Sequence, residues 1–216
     1  MVVDEAQDFA DGWWPAVLAS TRQGQLFVAG DDQQAVFAGR RGSPDVVMTE
    51  VTLDENLRNS RQIASVFGPM AHSRMRLSGG EGPPVRFVEC DASSAIDVAD
   101  AEVEKLLDAD MEPGKIAVLT TEHRHPFHVS TVDALGKDGY WDGYWLAEEV
   151  FYSTVMGFKG LERPVVVLAI DGFHEHVGRD VMYSGLSRAR DLLIVCGDLE
   201  MVRSVVGNEV CRRLLG

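Results

Sequence analysis

Val2-Val3-Asp4-Glu5-Ala6-Gln7-Asp8-Phe9 opens the chain with two β-branched residues running straight into carboxylates. Val2 and Val3 read as the end of a buried strand. A strand that stops at adjacent acids can offer one carboxylate to Mg²⁺ and the next to a water molecule as proton acceptor, the arrangement that phosphoryl transfer requires. Asp4 is the metal candidate and Glu5 the base. The same two acids also describe an ordinary surface turn after a buried strand, so the residues downstream decide between the readings. With Met1 standing at a strand position, the chain reads as starting in mid-domain.

Outward from this stretch, hydrophobic spacing predicts an α/β protein. Asp11 to Ser20 carries Trp13, Trp14, Val17 and Leu18 at helical spacing, predicting a short helix with both tryptophans inward. Gln25 to Ala29 predicts a buried strand that ends at Gly30-Asp31-Asp32, a turn that presents Gln33 and Gln34 from its tip. Ser43-Pro44 breaks the chain and sets a domain boundary, giving segments 1–45 and 46–216. Val46 to Leu53 is β-branched and predicts a strand or crossover. Asn56 to Phe67 predicts a helix with Leu57, Ile63, Ala64 and Phe67 on one face, and Ser78 to Pro84 is a loop by composition. Strands over residues 85–88, 116–119, 165–170 and 192–195 then alternate with helices over residues 94–107, 181–188 and 199–215. That alternation predicts a parallel sheet with flanking helices.

The chain has 216 residues and is 45% apolar, which is enough for one large core or two small ones. No apolar run approaches the roughly 18 residues of a membrane span, and no basic stretch precedes an apolar one at the N-terminus. Cys90, Cys196 and Cys211 are odd in number and lack CxxC spacing, so neither a disulfide framework nor a zinc site is indicated, and a reducing cytoplasm fits. Cys196, within an apolar run, reads as a core residue. His123, His125 and His128 near Glu122, and His174-Glu175-His176, have no recognised ligand spacing and read as surface loops. Gly139 to Trp145 reads as a hydrophobic patch under a loop, with a base-stacking platform as the alternative. A net charge of -14 argues against a chain that coats itself with nucleic acid, although a few arginines in a groove can still hold one strand weakly.

Five stretches together resemble the motifs of superfamily 1 helicases of the UvrD/Rep/PcrA kind, in that family's order. Asp4-Glu5-Ala6-Gln7-Asp8 resembles motif II, which contains Walker B, and Leu26 to Phe37 resembles motif III. Glu55-Asn56-Leu57-Arg58-Asn59-Ser60 is similar to motif IV. Phe158-Lys159-Gly160-Leu161-Glu162 is similar to motif V, and Tyr183 to Arg190 to motif VI. The resemblance implies an α/β, RecA-like (P-loop NTPase-type) fold with one partial lobe, residues 1–45, and one complete lobe, residues 46–216. It also implies ATP and Mg²⁺ as cofactors and single-stranded DNA as a partner.

Carried over residue by residue, the resemblance makes Asp4 the Mg²⁺ carboxylate and Glu5 the base. Gln34 becomes the γ-phosphate sensor, and Arg58 and Arg188 the guanidinium groups that reach the phosphates from the second lobe. Glu162 and Gly160 lie near the nucleotide. Phe37, Arg40 and Thr154 match the residues that hold the DNA strand. The chain departs from the family at Gly39, where a Trp is usual, and at Met156, where a His is usual, so strand handling carries over less completely than nucleotide handling.

One part is missing. No Gly-Lys-Thr or Gly-Lys-Ser phosphate loop occurs: Gly114-Lys115 is followed by Ile116 and Gly136-Lys137 by Asp138. About a hundred residues separate Arg58 from Lys159, too few for the large accessory domain that family members insert there. The expectation is the C-terminal portion of an ATP-dependent helicase or translocase, inactive alone and partnered by a RecA-like domain carrying Walker A. Two alternatives stand: a non-catalytic, helicase-like interaction module, and a metal nuclease using Asp4, Glu5 and Asp8.

Overall fold

The computed structural model describes residues 1–22, 25–31, 40, 43–71 and 75–216, so Gln34 and Phe37 lie outside the described residues. The chain divides into two compact units, Met1–Leu53 and Asp54–Gly216.

In the first unit, β1 (Val2–Val3) pairs in parallel with β2 (Phe27–Val28). A 3-10 turn over Asp11–Trp13 leads into α1 (Trp14–Ser20), and Trp14 packs with Val3 and Ala6 in a small core. Only one of the two tryptophans faces inward. Trp13 is half exposed, stands edge-on to Phe9 at 5.5 Å, and lies beneath the Arg40 guanidinium at 5.4 Å. Consecutive residues point about 100° apart around a helix, so with Trp14 turned into the core Trp13 points away from it. The β-branched stretch 46–53 is not a strand: it has no regular structure, and Val47, Val51 and Leu53 are exposed.

The second unit is built on a five-stranded, all-parallel sheet in the order β5-β9-β8-β6-β7, with β5 at Arg86–Glu89, β6 at Ile116–Thr120, β7 at Phe151–Thr154, β8 at Arg163–Ala169 and β9 at Ala189–Gly197. Parallel sheets are covered on both faces, which is why these strands read as continuous apolar runs. Val165, Val167, Ile116, Val118, Ile194 and Cys196 point to one side, against α3 (Ala95–Asp108). On the other side Val166, Leu168, Ala117, Leu119, Leu193 and Val195 meet α2 (Arg61–Phe67), α5 (Gly178–Leu186) and α6 (Leu199–Leu215). Cys196 is fully buried, and burial pushes its thiol up to about 12. A short parallel pair, β3 (Glu55–Asn56) and β4 (Arg76–Leu77), stands apart from the main sheet.

Three expectations are corrected in this unit. The helix expected from Asn56 begins at Arg61, where the Ser60 hydroxyl accepts the Ile63 N–H as N-cap, and Leu57 is exposed in the turn before it. Gly139 to Trp145 is not under a loop but in α4 (Pro126–Leu146), beyond a kink at Gly136. There Tyr140 and Tyr144 are buried against Phe151, with ring centroids 4.9 and 5.2 Å apart. His125 is not a surface residue either. It is buried, its Nδ1 accepts the Phe127 N–H at the start of α4, and its Nε2 donates to the Asp100 carboxylate at 3.1 Å. Those two contacts select the neutral ring. Burial holds the imidazole below its ordinary 6.5, although Asp100 opposes the shift.

Leu168→Ala in the middle of the sheet should lower unfolding free energy by about 2–5 kcal/mol in a urea titration, whereas Leu215→Ala at the exposed end of α6 should stay within about 0.5 kcal/mol. For His125, below 6.5 the unfolded chain takes up a proton that the folded chain resists, so stability should fall as the pH drops through that value. Asp100, raised by burial above its ordinary 3.8, adds the opposite slope only in a more acidic window. Urea midpoints on either side of 6.5 should show a flatter dependence in His125→Asn than in wild type.

Candidate functional site

Three segments far apart in sequence meet at the amino ends of β8 and β9. Asn56 orders the first of them: its Oδ1 accepts the Asn59 N–H at 3.1 Å and its Nδ2 donates to Asn59 Oδ1 at 2.9 Å. Asn59 is buried, and its Nδ2 donates to Ser187 O at 2.9 Å and Ala189 O at 2.6 Å. The backbone repeats the link, with Ser60 N–H donating to Arg190 O at 2.8 Å. Gly79 lies against the same turn, and a Cβ there would fall 1.9 Å from Asn59 O, so only glycine lets the 78–84 loop pass.

Arg58, beside this anchor, is turned to solvent and pairs through Nε with Glu162 Oε2 at 2.8 Å. Arg190 approaches the other oxygen of Glu162 at 3.7 Å. One carboxylate thus bridges guanidinium groups from two other segments. Side-chain exposures of 44%, 37% and 46% for Arg58, Glu162 and Arg190 leave the cluster open to a competing anion. Ion pairs this exposed contribute about 0–1 kcal/mol each. Tyr144 fixes the backbone behind it by donating to Glu162 O at 3.1 Å. Arg163 stacks over the Tyr144 ring at 4.2 Å and donates to the Tyr144 carbonyl; burial pushes its guanidinium below the ordinary value.

Arg188 is placed differently from Arg58. It is 1% exposed, with Nε donating to Ser184 O at 2.9 Å, Nη1 to Leu161 O at 3.3 Å and Nη2 to Ser187 Oγ at 3.0 Å. Gly160 has φ +79°, a left-handed conformation that suits glycine and turns the chain toward Glu162. Thr154 stands at the opposite end of the sheet. Register aligns it with Thr120, and Thr120 with Ala169, so about 20 Å of strand separates it from Glu162. Residues 155–162 cross the sheet between these ends, with Val155 and Phe158 buried in the core.

The first unit holds the carboxylates. Asp4 is exposed and its Oδ1 accepts the Glu5 N–H at 2.9 Å. Glu5 has φ +50°, a conformation that costs a non-glycine residue about 1–2 kcal/mol. Gln7, 2% exposed, donates to Glu5 Oε2 and accepts the Asp31 N–H at 2.9 Å. Arg40 donates to the Asp8 carbonyl in addition to lying over Trp13. No group of three or more His, Cys, Asp or Glu converges among the described residues. Mg²⁺ that is shared with phosphates needs only one or two carboxylates, so the exposed oxygens of Asp4 fit such an ion.

Arg58, Gly160 and Glu162 are therefore brought near one another, with Arg188 just behind them, while Thr154 is at the far end. The motif reading passed over Asn59 and Arg190. Both lie inside the quoted stretches, but nothing in the sequence distinguishes Asn59 as an anchor, because its acceptors are carbonyls of residues far along the chain.

No family profile and no curated protein matches this sequence. Among solved structures, the PRRSV helicase superposes with a TM-score of 0.55 at 17% identity, over 94% of this chain and 36% of that one. This chain thus spans about a third of that helicase's length. The C-terminal domain of a possible DNA helicase from Lactobacillus plantarum WCFS1 gives a TM-score of 0.44 at 16% identity, over 73% of this chain and 93% of that domain. The chain has a helicase-like α/β fold of the RecA type, with a five-stranded parallel sheet flanked by helices. No helix among the described residues is long and apolar enough to cross a membrane.

Asn59→Ala should cost about 1–3 kcal/mol of stability, because two buried carbonyls lose their donor. Glu162→Gln should change stability by less than about 1 kcal/mol. Parallel urea titrations of the two variants check both, and equal losses would remove Asn59 from its anchoring role.

Proposed function

We propose that this chain supplies the water-activating acid and a phosphate-binding arginine of an ATP-dependent, superfamily 1 DNA helicase or translocase. The observation that carries the reading is the Arg58–Glu162–Arg190 cluster, in which stretches resembling motifs IV, V and VI are gathered at one exposed point by the buried Asn59. A solvent-facing guanidinium held by a single exposed carboxylate can exchange that partner for a phosphate oxygen with little desolvation cost.

On this reading, Asp4 would hold Mg²⁺, and Glu5 would accept the proton of the attacking water. Mg²⁺, when bound, neutralises charge on the phosphate oxygens. Glu5 meets two requirements of a base: its carboxylate is partly exposed, and it is oriented by the buried Gln7 amide. Arg58 stabilises charge on the phosphates, and Gly160 and Glu162 border the nucleotide. Gln34 senses the γ-phosphate. Arg188, which ties Ser184 to Leu161, positions this cluster from behind. Phe37, Arg40 and Thr154 hold single-stranded DNA, weakly for a chain of net charge -14. A RecA-like partner domain provides Walker A, since no phosphate-loop sequence occurs here.

In a polypeptide that also carries such a loop, Glu5→Gln should lower DNA-stimulated ATP turnover about 10²–10⁴-fold with nucleotide binding retained. Arg58→Ala should lower it about 10²–10³-fold. Steady-state ATPase assays with and without single-stranded DNA read both, and wild-type rates in either variant remove that residue from the reaction.

A non-catalytic, helicase-like module is the second reading. The burial of Arg188 favours it, because that guanidinium is bonded to the chain's own carbonyls. The ATPase rate of the wild-type loop-bearing polypeptide with single-stranded DNA separates the two, since the module reading predicts no turnover.

A further inference from the structure

Glu5 is held in a left-handed backbone conformation at the exit of β1, and its carboxylate accepts a hydrogen bond from the Gln7 side chain. Gln7 is 2% exposed, so its amide sits away from water and each contact it makes has directional weight. Its Nε2 donates to Glu5 Oε2 at 2.5 Å, while its Oε1 accepts the backbone N–H of Asp31 at 2.9 Å. The turn is pressed onto the same amide: a Cβ added at Gly30 would lie 3.0 Å from Gln7 Oε1 and 3.4 Å from the Ala6 Cβ. One planar group therefore touches the Glu5 carboxylate at one end and the Gly30-Asp31 turn at the other.

We propose that Gln7 is a positioning residue that couples the Glu5 carboxylate to the Gly30-Asp31 turn, so that a change in what Glu5 binds is felt at the exit of β2. The coupling rests on the reading of Glu5 as the acid of the site for its purpose, but not for its existence. In a working enzyme it would transmit the occupancy of Glu5 to Asp31 at the exit of β2.

Amide hydrogen exchange of the present chain, followed by NMR at Asp31, tests the link without any turnover. Glu5→Ala removes the acceptor for Gln7 and should speed Asp31 exchange about tenfold or more. Glu5→Gln keeps a side-chain acceptor and should restore near wild-type exchange. Gln7→Met should speed Asp31 exchange by itself and abolish any further response to Glu5→Ala. The Ala29 N–H, which donates to Val3 O at 2.8 Å, reports whether the unit remains folded in each variant. Equal Asp31 exchange in wild type and Glu5→Ala overturns the proposal, as does a Glu5→Ala response that persists in Gln7→Met. If Gln7→Met does not fold, the Glu5→Ala and Glu5→Gln pair still decides. Loss of the ATPase reading would show instead as wild-type turnover in Glu5→Gln, a result independent of the exchange data.

Discussion

The side-chain amide of Asn59 donates to the carbonyls of Ser187 and Ala189, and the exposed cluster in front of it depends on that pair of bonds. Both acceptors belong to backbone at the start of β9, where Ala189 already lies opposite Arg163 of β8. A buried carbonyl without a donor costs more than a typical hydrogen bond contributes, so Asn59 has little freedom to leave. Its neighbour Arg58 is consequently delivered to the amino ends of β8 and β9, beside Glu162, while remaining in water. Rigid behind and solvated in front is the arrangement a site needs if it is to bind an anion without rearranging its own core.

Arg58 and Arg188, both in the second unit, illustrate how differently one residue type can be used. Arg58 pairs with a single carboxylate at 44% exposure and can exchange partners. Arg188, at 1% exposure, forms hydrogen bonds with Ser184, Leu161 and Ser187 and acts as a brace between α5 and the crossing that carries Gly160 and Glu162. Removing this buried guanidinium would take a donor from the Leu161 and Ser184 carbonyls and from the Ser187 hydroxyl, so loss of function on replacing Arg188 would mix structural and chemical causes. Arg58 is the cleaner probe.

The parallel sheet separates the Glu162 cluster from Thr154 by its own length. Glu162 and Arg190 are at the amino ends of β8 and β9, and Thr154 closes β7 at the carboxyl end. Residues 155–162 join those ends directly across the sheet, with Val155 and Phe158 packed into the core along the way. Packed cores shift between discrete arrangements more readily than they stretch, so such a crossing is suited to carrying a displacement from one end to the other.

Apolar runs over the strands and the alternation of strand with helix were enough to determine a parallel α/β sheet, because strands buried on both faces must be apolar throughout. The acids after β1 and the arginines of the quoted motifs were legible as candidates for the same reason that chemistry restricts residue type. Element ends were less legible. Leu57 looked like part of a helical face but is exposed in a turn, since the Ser60 N-cap starts α2 later. The 46–53 stretch has strand composition and no partner strand. His125, Asn59, Gln7 and Arg190 acquired their roles only from tertiary structure. Each acts through a partner distant in sequence or through burial, and neither quantity is written in local spacing. Sequence by itself determined which acids and arginines were present as candidates; the fold decided which guanidinium faces water and which carboxylate is held, because hydrogen bonds to remote backbone carbonyls set those positions.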